Sequence, residues 1–272
     1  MLKEDDNLET LVEAVLASSK YRGVSKDLIV SIGSQELRKR HNFKEALKAS
    51  KSKLHQISGA YLDIRGREQY TTWLHELSRA AATGQREVLV QVCTKVMGYH
   101  ASTRERLPIL DQFYREIFSY LPPIRTIIDV ACGFNPLALP WMSLAPQTEY
   151  YAYDIYQGMM DFLGAWMRLN QVSGKAEVRD VIQACPTHKV DVAFIFKAIP
   201  CLEQVDALAG FHLLQTLRAD YLVVSFPVAS MGGRNKGMVE HYTTHFRTLV
   251  ANERWEITRL VFKSELVFIV KK

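Results

Sequence analysis

The chain has 272 residues, of which 48% are apolar and 23% charged, which is enough for one large or two modest packed domains and excludes wholesale disorder. Its four cysteines, Cys93, Cys132, Cys185 and Cys201, are widely separated without C-x-x-C spacing, so we expect neither a zinc site nor a disulfide framework. The longest apolar runs are of strand length and the first ten residues are polar and acidic, so we expect no membrane span, no secretory signal and a cytoplasmic location.

The positive charge is concentrated near the N-terminus. The net charge is +5, but the segment from Lys20 to Lys53 alone contains ten lysines or arginines and three acids, a local charge of +7. The rest of the chain is therefore near −2. The total is too small to indicate a polyanionic partner, whereas its distribution marks one segment as basic.

Residues 1 to about 106 have the pattern of helices. Apolar residues recur at helical spacing, Ser25 precedes the second helical segment as a candidate N-cap, and the third segment starts at Asn42. The five segments read LETLVEAVLASSKY, SKDLIVSIGSQELRKRH, NFKEALKASKSKLHQISGAYL, QYTTWLHELSRAAA and EVLVQVCTKVMGYH. They predict a compact domain of four or five helices.

After Pro108 a further helix, ILDQFYREIFSYL, ends at Pro122 and Pro123, and strands then begin to alternate with helices. The predicted strands are TIIDVAC (126–132), EYYAYDI (149–155), KAEVRDV (175–181), VDVAFIF (190–196), YLVVSF (221–226) and a closing pair, WEITRLVF and ELVFIVKK. This alternation predicts the α/β class with a parallel, doubly wound sheet. Seven strands closed by a hairpin resemble the Rossmann-like methyltransferase fold.

The first strand ends in Asp129, Val130, Ala131, Cys132 and Gly133. Small residues and a glycine allow a ligand to approach the backbone closely. Only one glycine of a G-x-G-x-x-G fingerprint is present, which argues against NAD or FAD, because their pyrophosphate needs that glycine-lined turn. S-adenosylmethionine (SAM) has no phosphate and tolerates the sparser turn; the alternative is a tight turn without a ligand.

Carboxylates end the next two strands. Ligands of open α/β sheets bind beyond the carboxyl ends of the strands. Asp154 is placed there to accept hydrogen bonds from a ribose diol, and Asp180 to accept one from an adenine amino group beside the backbone of Val181. Each acid alone is equally consistent with a solvated surface carboxylate, but their ordered placement at successive strand ends is more specific.

Cationic groups follow the fourth and fifth strands. Lys197 ends an apolar strand, where it either orients a target nucleotide or extends its amine to water. The glycine-rich loop SMGGRNKGM carries Arg234 and Lys236, which suit a phosphate backbone if the loop is not simply a disordered surface segment.

The stretch HASTRERL (100–107) joins the helical region to the sheet. We expect it to close over the cofactor with Arg106 facing the cofactor carboxylate, the alternative being a capped helix start. His241 and His245 have the i, i+4 spacing of a metal pair, but because no third ligand is evident we expect no metal.

Several blocks together resemble one family, the aminoglycoside-resistance 16S rRNA methyltransferases of the Arm/Rmt and antibiotic-producer types, which methylate N7 of guanine 1405 in the small-subunit decoding site. The blocks are HASTRERL, DVACGFNPLAL, DIYQGM, RDV, IFKAIPCLE and SFPVASMGGRNKGM, with LASSKYRGV and KLHQISGAYL nearer the N-terminus. The likeness spans nearly the whole chain, and its combination of blocks is more specific than any single block.

The resemblance implies a helical rRNA-docking domain over residues 1–106, a Rossmann-like SAM-dependent methyltransferase domain over residues 107–272, and the 30S subunit as partner. The implied SAM-binding residues, which would also hold the product S-adenosylhomocysteine, are His100, Ser102, Arg106, Gly133, Asp154, Asp180 and Val181. The implied RNA-binding residues are Lys20, Arg22, Lys51, Lys53, Arg234 and Lys236. The implied target-positioning residues are Lys197, Arg234, Lys236 and Met238; the role of Glu265 stays open.

No general base is expected, because N7 of guanine carries a lone pair and no proton, so the enzyme mainly positions two reactants. Three alternatives stay open at this point. The chain is a methyltransferase for another rRNA or tRNA base, a non-catalytic RNA-binding protein of ribosome assembly, or, least favoured by the missing glycines, a nicotinamide oxidoreductase.

Overall fold

The structure, a computed structural model, describes residues 2–40, 42–59, 69–228 and 237–272. Within these ranges no helix is both long enough and apolar enough to cross a membrane. Helices occupy the first part of the chain and alternate with strands in the second part, as the sequence predicts.

Amphipathic helices precede the sheet, and their apolar stripes face inward. Their bounds are α1 (Leu2–Leu16), α2 (Lys26–Lys39), α3 (Phe43–Leu54), α4 (Tyr70–Ala82), α5 (Arg86–Met97), α6 (Ala101–Arg106) and α7 (Leu110–Ser119). A π-helical turn, His55–Gly59, extends α3. The Asn42 side chain caps α3 by accepting a hydrogen bond from the Lys44 N–H at 2.9 Å, whereas the Ser25 side chain makes no capping bond to α2.

The sheet of the described residues has seven strands in the order β3-β2-β1-β4-β5-β7-β6. Their bounds are β1 (Thr126–Val130), β2 (Glu149–Asp154), β3 (Ser173–Val178), β4 (Val190–Phe196), β5 (Ala219–Pro227), β6 (Glu256–Val261) and β7 (Glu265–Lys271). The first five strands are parallel, and β7 is antiparallel to both β5 and β6. The predicted α/β fold with its closing hairpin is confirmed.

The helices between the strands depart from the sequence expectations in detail. They are α8 (Gln157–Leu169), α9 (Ile199–Leu202), α10 (Ala209–Thr216) and α11 (Met238–Leu249). The helix predicted after β1 is instead a 3-10 helix, Asn135–Trp141, because the interior Pro140 lacks the N–H that an α-helix requires there. Strand β3 ends at Val178, so Asp180 and Val181 lie in the turn beyond it.

The sheet is covered on both faces, and successive residues of a strand point to opposite faces. Ile127 packs in one hydrophobic cluster with the N-terminal helices, whereas Ile128 packs in the other with α10 and α11. On the first face, Trp73 of α4 makes edge contacts with the rings of Phe134 and Phe162. The apolar core is therefore continuous between the helical region and the sheet, and the division at residue 106 stays a prediction.

Candidate active site at the carboxyl ends of the strands

A cleft lies at the carboxyl ends of β1, β2 and β4, beside the point between β1 and β4 where the strand order reverses. Six of the residues predicted from sequence line it: His100, Ser102, Asp154, Asp180, Val181 and Lys197. Apolar groups, among them Ile182 and Leu202, complete its walls. Such a mixture of an apolar cavity with a few converging polar groups is typical of a site for a small organic ligand.

The turn that ends β1 has an unusual backbone. Ala131 and Gly133 both have φ of +51°, in the left-handed region that favours glycine. A Cβ atom at residue 133 would lie 2.6 Å from Cε1 of His100, closer than any ordinary contact. Gly133 is therefore needed for two reasons, its dihedral angle and the imidazole ring that packs directly on it.

Asp154 is held rigidly at the end of β2. Its Oδ2 accepts a hydrogen bond from the Gly133 N–H at 2.9 Å and its Oδ1 accepts one from the Ile155 N–H at 2.6 Å. Burial raises the pKa of this carboxyl group to about 6, although the backbone hydrogen bonds lower it in part. The two amides fix the orientation of the carboxylate in the cleft and leave acceptor capacity for a ligand hydroxyl.

Asp180 has one satisfied oxygen and one unsatisfied oxygen. Its Oδ1 accepts from the Ile182 N–H at 3.0 Å, while its buried Oδ2 has no hydrogen-bond partner among the described residues. Burial raises the pKa of the carboxyl group. A buried acceptor without a partner is costly, so this atom calls for a donor on a ligand such as an exocyclic amine.

Lys197 also has a left-handed backbone, with φ of +55°, at the end of β4. Its amine is turned inward: it donates to Glu105 Oε2 at 2.7 Å and to the Ser102 carbonyl oxygen at 3.3 Å, and lies 3.5 Å from Glu265. Lys197 is only 6% exposed, so the alternative of an amine extended to water does not describe this structure. The two strained residues Ala131 and Lys197 both line the cleft.

Arg106 lies beneath the cleft, fully buried, and is not part of its lining. Its guanidinium forms a bidentate ion pair with Glu265, at 2.7 and 3.0 Å, and donates to Asn135 Oδ1 at 2.8 Å. The group lies between the rings of Phe113 and Phe196. In this structure the carboxylate that Arg106 faces is therefore Glu265, and its contact with a cofactor carboxylate stays a prediction.

Glu265 and Asn135 connect this ion pair to a larger buried network that the sequence did not reveal. Burial alone would raise the pKa of Glu265, but Arg106 and Lys197 outweigh it and lower the pKa. Asn135 donates to Asp129 Oδ2 at 2.9 Å, and burial raises the pKa of Asp129 to about 7. The available signals were an acid at the start of the apolar run ELVFIVK and an asparagine before a proline.

The helical region supplies part of the cleft wall. Leu28 of α2 and Ile57, which follows α3, both line it. The backbone N–H of Ser25 donates to the Ile155 carbonyl oxygen at 2.7 Å, within an isolated bridge between Val24 and Tyr156. The segment after Asp154 is thus hydrogen-bonded to the segment that precedes α2, a contact between residues too far apart in sequence for periodicity to indicate.

The predicted RNA-binding residues have different environments. Arg22 is exposed, the amine of Lys20 lies 2.7 Å from Nδ1 of His55, and Lys51 is half-buried. Lys53 instead forms an ion pair at 2.9 Å with the buried Glu36, so its charge already compensates an internal carboxylate. Met238 begins α11, and the predicted residues Arg234 and Lys236 lie outside the described residues.

No cluster of metal-ligating side chains is found among the described residues. His245 of the predicted histidine pair bonds to Glu203 at 2.9 Å, and His241 stacks on His245.

Comparison with known proteins gives one consistent result. The family model described as "Ribosomal RNA methyltransferase (FmrO)" matches residues 17–269. Proteins named 16S rRNA (guanine(1405)-N(7))-methyltransferase from Micromonospora rosea and Frankia casuarinae are 36% and 35% identical, over 98% and 99% of this chain and 98% and 95% of theirs. The crystal structure of the 16S rRNA methyltransferase RmtF in complex with S-adenosylhomocysteine is 28% identical, with a TM-score of 0.85 and 98% of both chains covered.

Proposed function

The chain belongs to the FmrO family of ribosomal RNA methyltransferases, and from that premise we propose that it transfers the methyl group of SAM to N7 of guanine 1405 in the 16S rRNA of the 30S subunit. The relatives that carry this activity in their names align with nearly the whole chain, from the helical region to the closing hairpin.

The observation that carries the proposal is a pair of carboxylates in one cleft, one at the end of β2 and one in the turn after β3. Asp154 presents a carboxylate fixed by two backbone amides, which suits a ribose diol, and Asp180 presents a buried acceptor that lacks a donor. Apolar side chains flank both acids, as the faces of an adenine ring require. These residues fit SAM. The turn after β1 lacks the glycine fingerprint that would instead indicate a dinucleotide with a pyrophosphate.

When bound, SAM supplies an electrophilic methyl group on a positively charged sulfur. The residues of the chain need only position the acceptor and exclude water, because N7 of guanine attacks with a lone pair and releases no proton. His100 fits this account, since burial and the neighbouring Lys197 and Arg106 lower its pKa to about 3. Its imidazole is therefore neutral at physiological pH and adds no further positive charge beside the cofactor.

Lys197 is proposed as a residue that positions the target. Glu105, Glu265 and the Ser102 carbonyl hold its amine at the wall of the cleft. Because Glu105 and Glu265 already compensate its charge, the proposed role of Lys197 is to order this wall, against which the entering nucleotide lies. A target base that is stacked in an RNA helix must be turned out of the stack, at a cost of a few kcal/mol that phosphate contacts of the basic segment offset.

The proposed reaction is tested by incubating the protein with SAM labelled in its methyl group and with either purified 30S subunits or naked 16S rRNA. We expect label in the 16S rRNA of the 30S subunit, faster than in naked rRNA, because a multi-helix docking region recognises folded shape. Equal rates on both substrates would refute recognition of the assembled subunit. Label in transfer RNA instead would support the rival function of a methyltransferase for another RNA.

We further propose that the modification makes a bacterium resistant to aminoglycosides that bind the decoding site. Expression of the chain in a drug-sensitive bacterium is expected to raise the inhibitory concentration of such a drug. Asp154→Ala, which removes a carboxylate of the cleft, is expected to abolish that increase at equal protein levels.

A further inference from the structure

A basic groove adjoins the active-site cleft and shares a wall with it. The groove is lined by Gln35, Arg38 and Lys39 of α2 and by Val205, Asp206 and Ala207, which follow α9, so its lining carries two cations and one exposed carboxylate. Val205 lines both the groove and the cleft. The two cavities are therefore neighbours that share this buried side chain as a common wall.

Helix α2 connects the two cavities through one of its faces. Leu28, Ser31, Gln35 and Lys39 are spaced by three or four residues, so they lie along one side of the helix. Leu28 lines the cleft, the Ser31 hydroxyl oxygen accepts a hydrogen bond at 3.0 Å from the Gln183 side-chain amide, and Gln35 and Lys39 line the groove. At about 1.5 Å of rise per residue, Lys39 lies about 16 Å along the helix from Leu28.

The two cations of the groove are available to a ligand. Arg38 and Lys39 are both exposed, and neither forms an ion pair with a described residue. The next residue differs: Arg40 is bonded to the buried Glu36 together with Lys53. Position in the last turn of α2 places Arg38 and Lys39 favourably for the helix dipole, but this effect alone does not explain a groove that leads into the cleft.

We propose that Arg38 and Lys39 bind the phosphodiester backbone of the substrate RNA next to the target nucleotide, so that α2 guides the strand from the groove into the cleft. The inference rests on the proposed function and deepens it. A flipped nucleotide stays joined to its neighbours, so the backbone on one side of it must leave the cleft along an adjoining surface. A groove with two exposed cations that form no ion pair with a described residue, against one carboxylate, is complementary to that backbone.

The test compares Arg38→Ser/Lys39→Ser with the matched control Arg125→Ser/Arg218→Ser. The control also removes two exposed cations, but these precede β1 and β5 and so lie at the opposite edge of the sheet from the cleft. For each protein, KM for purified 30S subunits is measured at saturating SAM over a range of salt, together with the Kd for S-adenosylhomocysteine and the thermal midpoint.

The groove variant is expected to raise KM and to reduce the slope of log KM against log salt by about 1.4 to 1.8, since each of the two phosphate contacts contributes about 0.7 to 0.9. When salt is raised from about 50 to 200 mM, the KM of the groove variant is therefore expected to increase about tenfold less than the KM of the unaltered protein. The Kd for S-adenosylhomocysteine and the thermal midpoint are expected to stay unchanged, and the control is expected to behave like the unaltered protein.

Three results would overturn the inference. One is an unchanged KM and salt slope for the groove variant, and another is an equal effect of the control, which would indicate a general effect of net charge. A third is a higher Kd for S-adenosylhomocysteine, that is, weaker binding, which would assign the residues to the cofactor site. Failure of the proposed function itself is distinguishable, because the unaltered protein would then transfer no methyl group to 30S subunits.

Discussion

Arg106 and Glu265, which are 159 positions apart, form a bidentate ion pair in which neither side chain is exposed to solvent. The pair joins the segment that enters the sheet region to the strand that closes it, directly beneath the cleft. Because both groups are buried, removal of Glu265 leaves the Arg106 guanidinium without its ion-pair partner, with only the Asn135 side chain still accepting from it.

We therefore predict that Glu265→Gln lowers the free energy of unfolding by about 3 to 5 kcal/mol. Urea unfolding followed by far-UV circular dichroism measures the change. The control is Glu256→Gln, which breaks the exposed pair with Lys271 and is expected to cost less than about 1 kcal/mol. Similar losses for both variants would contradict the importance assigned to the buried pair.

The turn after β1 leads to a second prediction, on Gly133→Ala. A Cβ atom there adds backbone strain and displaces the His100 ring, so we expect a loss of about 2 to 4 kcal/mol in stability and weaker binding of S-adenosylhomocysteine. Gly84→Ala is the matched control, since Gly84 also has a positive φ, +67°, but has open space around it. Binding is measured by calorimetry and stability by urea unfolding. Equal results for both variants would show that the contact with His100 is unimportant.

Asp180 leads to a prediction that separates binding from stability. Asp180→Asn presents an amide in place of a carboxylate, and we expect the Kd for S-adenosylhomocysteine to rise about 10- to 100-fold, the value of a hydrogen bond to a charged group. Stability is expected to change little, because Asp180 Oδ2 has no protein partner to lose among the described residues. Asp161→Asn, on the exposed side of α8, serves as the control. If calorimetry found an unchanged affinity for Asp180→Asn, Asp180 would not belong to the adenine site.

The pKa of Asp154 predicts how binding depends on pH. Because burial raises this pKa to about 6, the carboxyl group becomes an ionised acceptor only as the pH rises through that value. The affinity for S-adenosylhomocysteine is expected to increase from pH 5 to pH 7 and then level off. Titration calorimetry of Asp154→Asn is expected to show weak binding with a reduced dependence on pH in that window.

The same shift has the opposite sign for stability. A carboxyl group whose pKa is raised by folding stabilises the protein fully below its unfolded pKa of about 4, and this contribution is lost as the pH rises through about 6. The Asp154 contribution to the free energy of unfolding thus falls over the interval in which affinity rises. This contribution is obtained as the difference in the free energy of unfolding between the unaltered protein and Asp154→Asn. If the contribution and the affinity both rose with pH, the assignment of the raised pKa to Asp154 would be contradicted.

The sequence predicted the sheet well because buried parallel strands are continuous apolar runs; the run at 190–196 matches β4 at both ends. It also placed Asp154 and Asp180 correctly in one cleft, because the carboxyl ends of parallel strands meet at one edge of a sheet. It was wrong about the type of helix after β1, since the interior Pro140 was not weighed against the apolar pattern.

The remaining features depend on contacts between residues distant in sequence. The family resemblance named Glu265 without a role, and no local pattern names Arg106 as its partner. Leu28 looked like an ordinary core residue of an amphipathic helix, and only the packing of α2 against the sheet makes it a wall of the cleft. Lys53 was grouped with the RNA-binding cations, while the buried carboxylate of Glu36 that it compensates is visible only in the folded chain.

The central claim is tested most directly by locating the methyl group. Purified 30S subunits are incubated with the protein and SAM. The 16S rRNA is then treated with reagents that cleave RNA at N7-methylguanine, and the breaks are mapped by primer extension. The account predicts one SAM-dependent break, at guanine 1405, that is lost with Asp154→Ala. Breaks at another nucleotide, or methylated rRNA without N7-methylguanine cleavage, would contradict it.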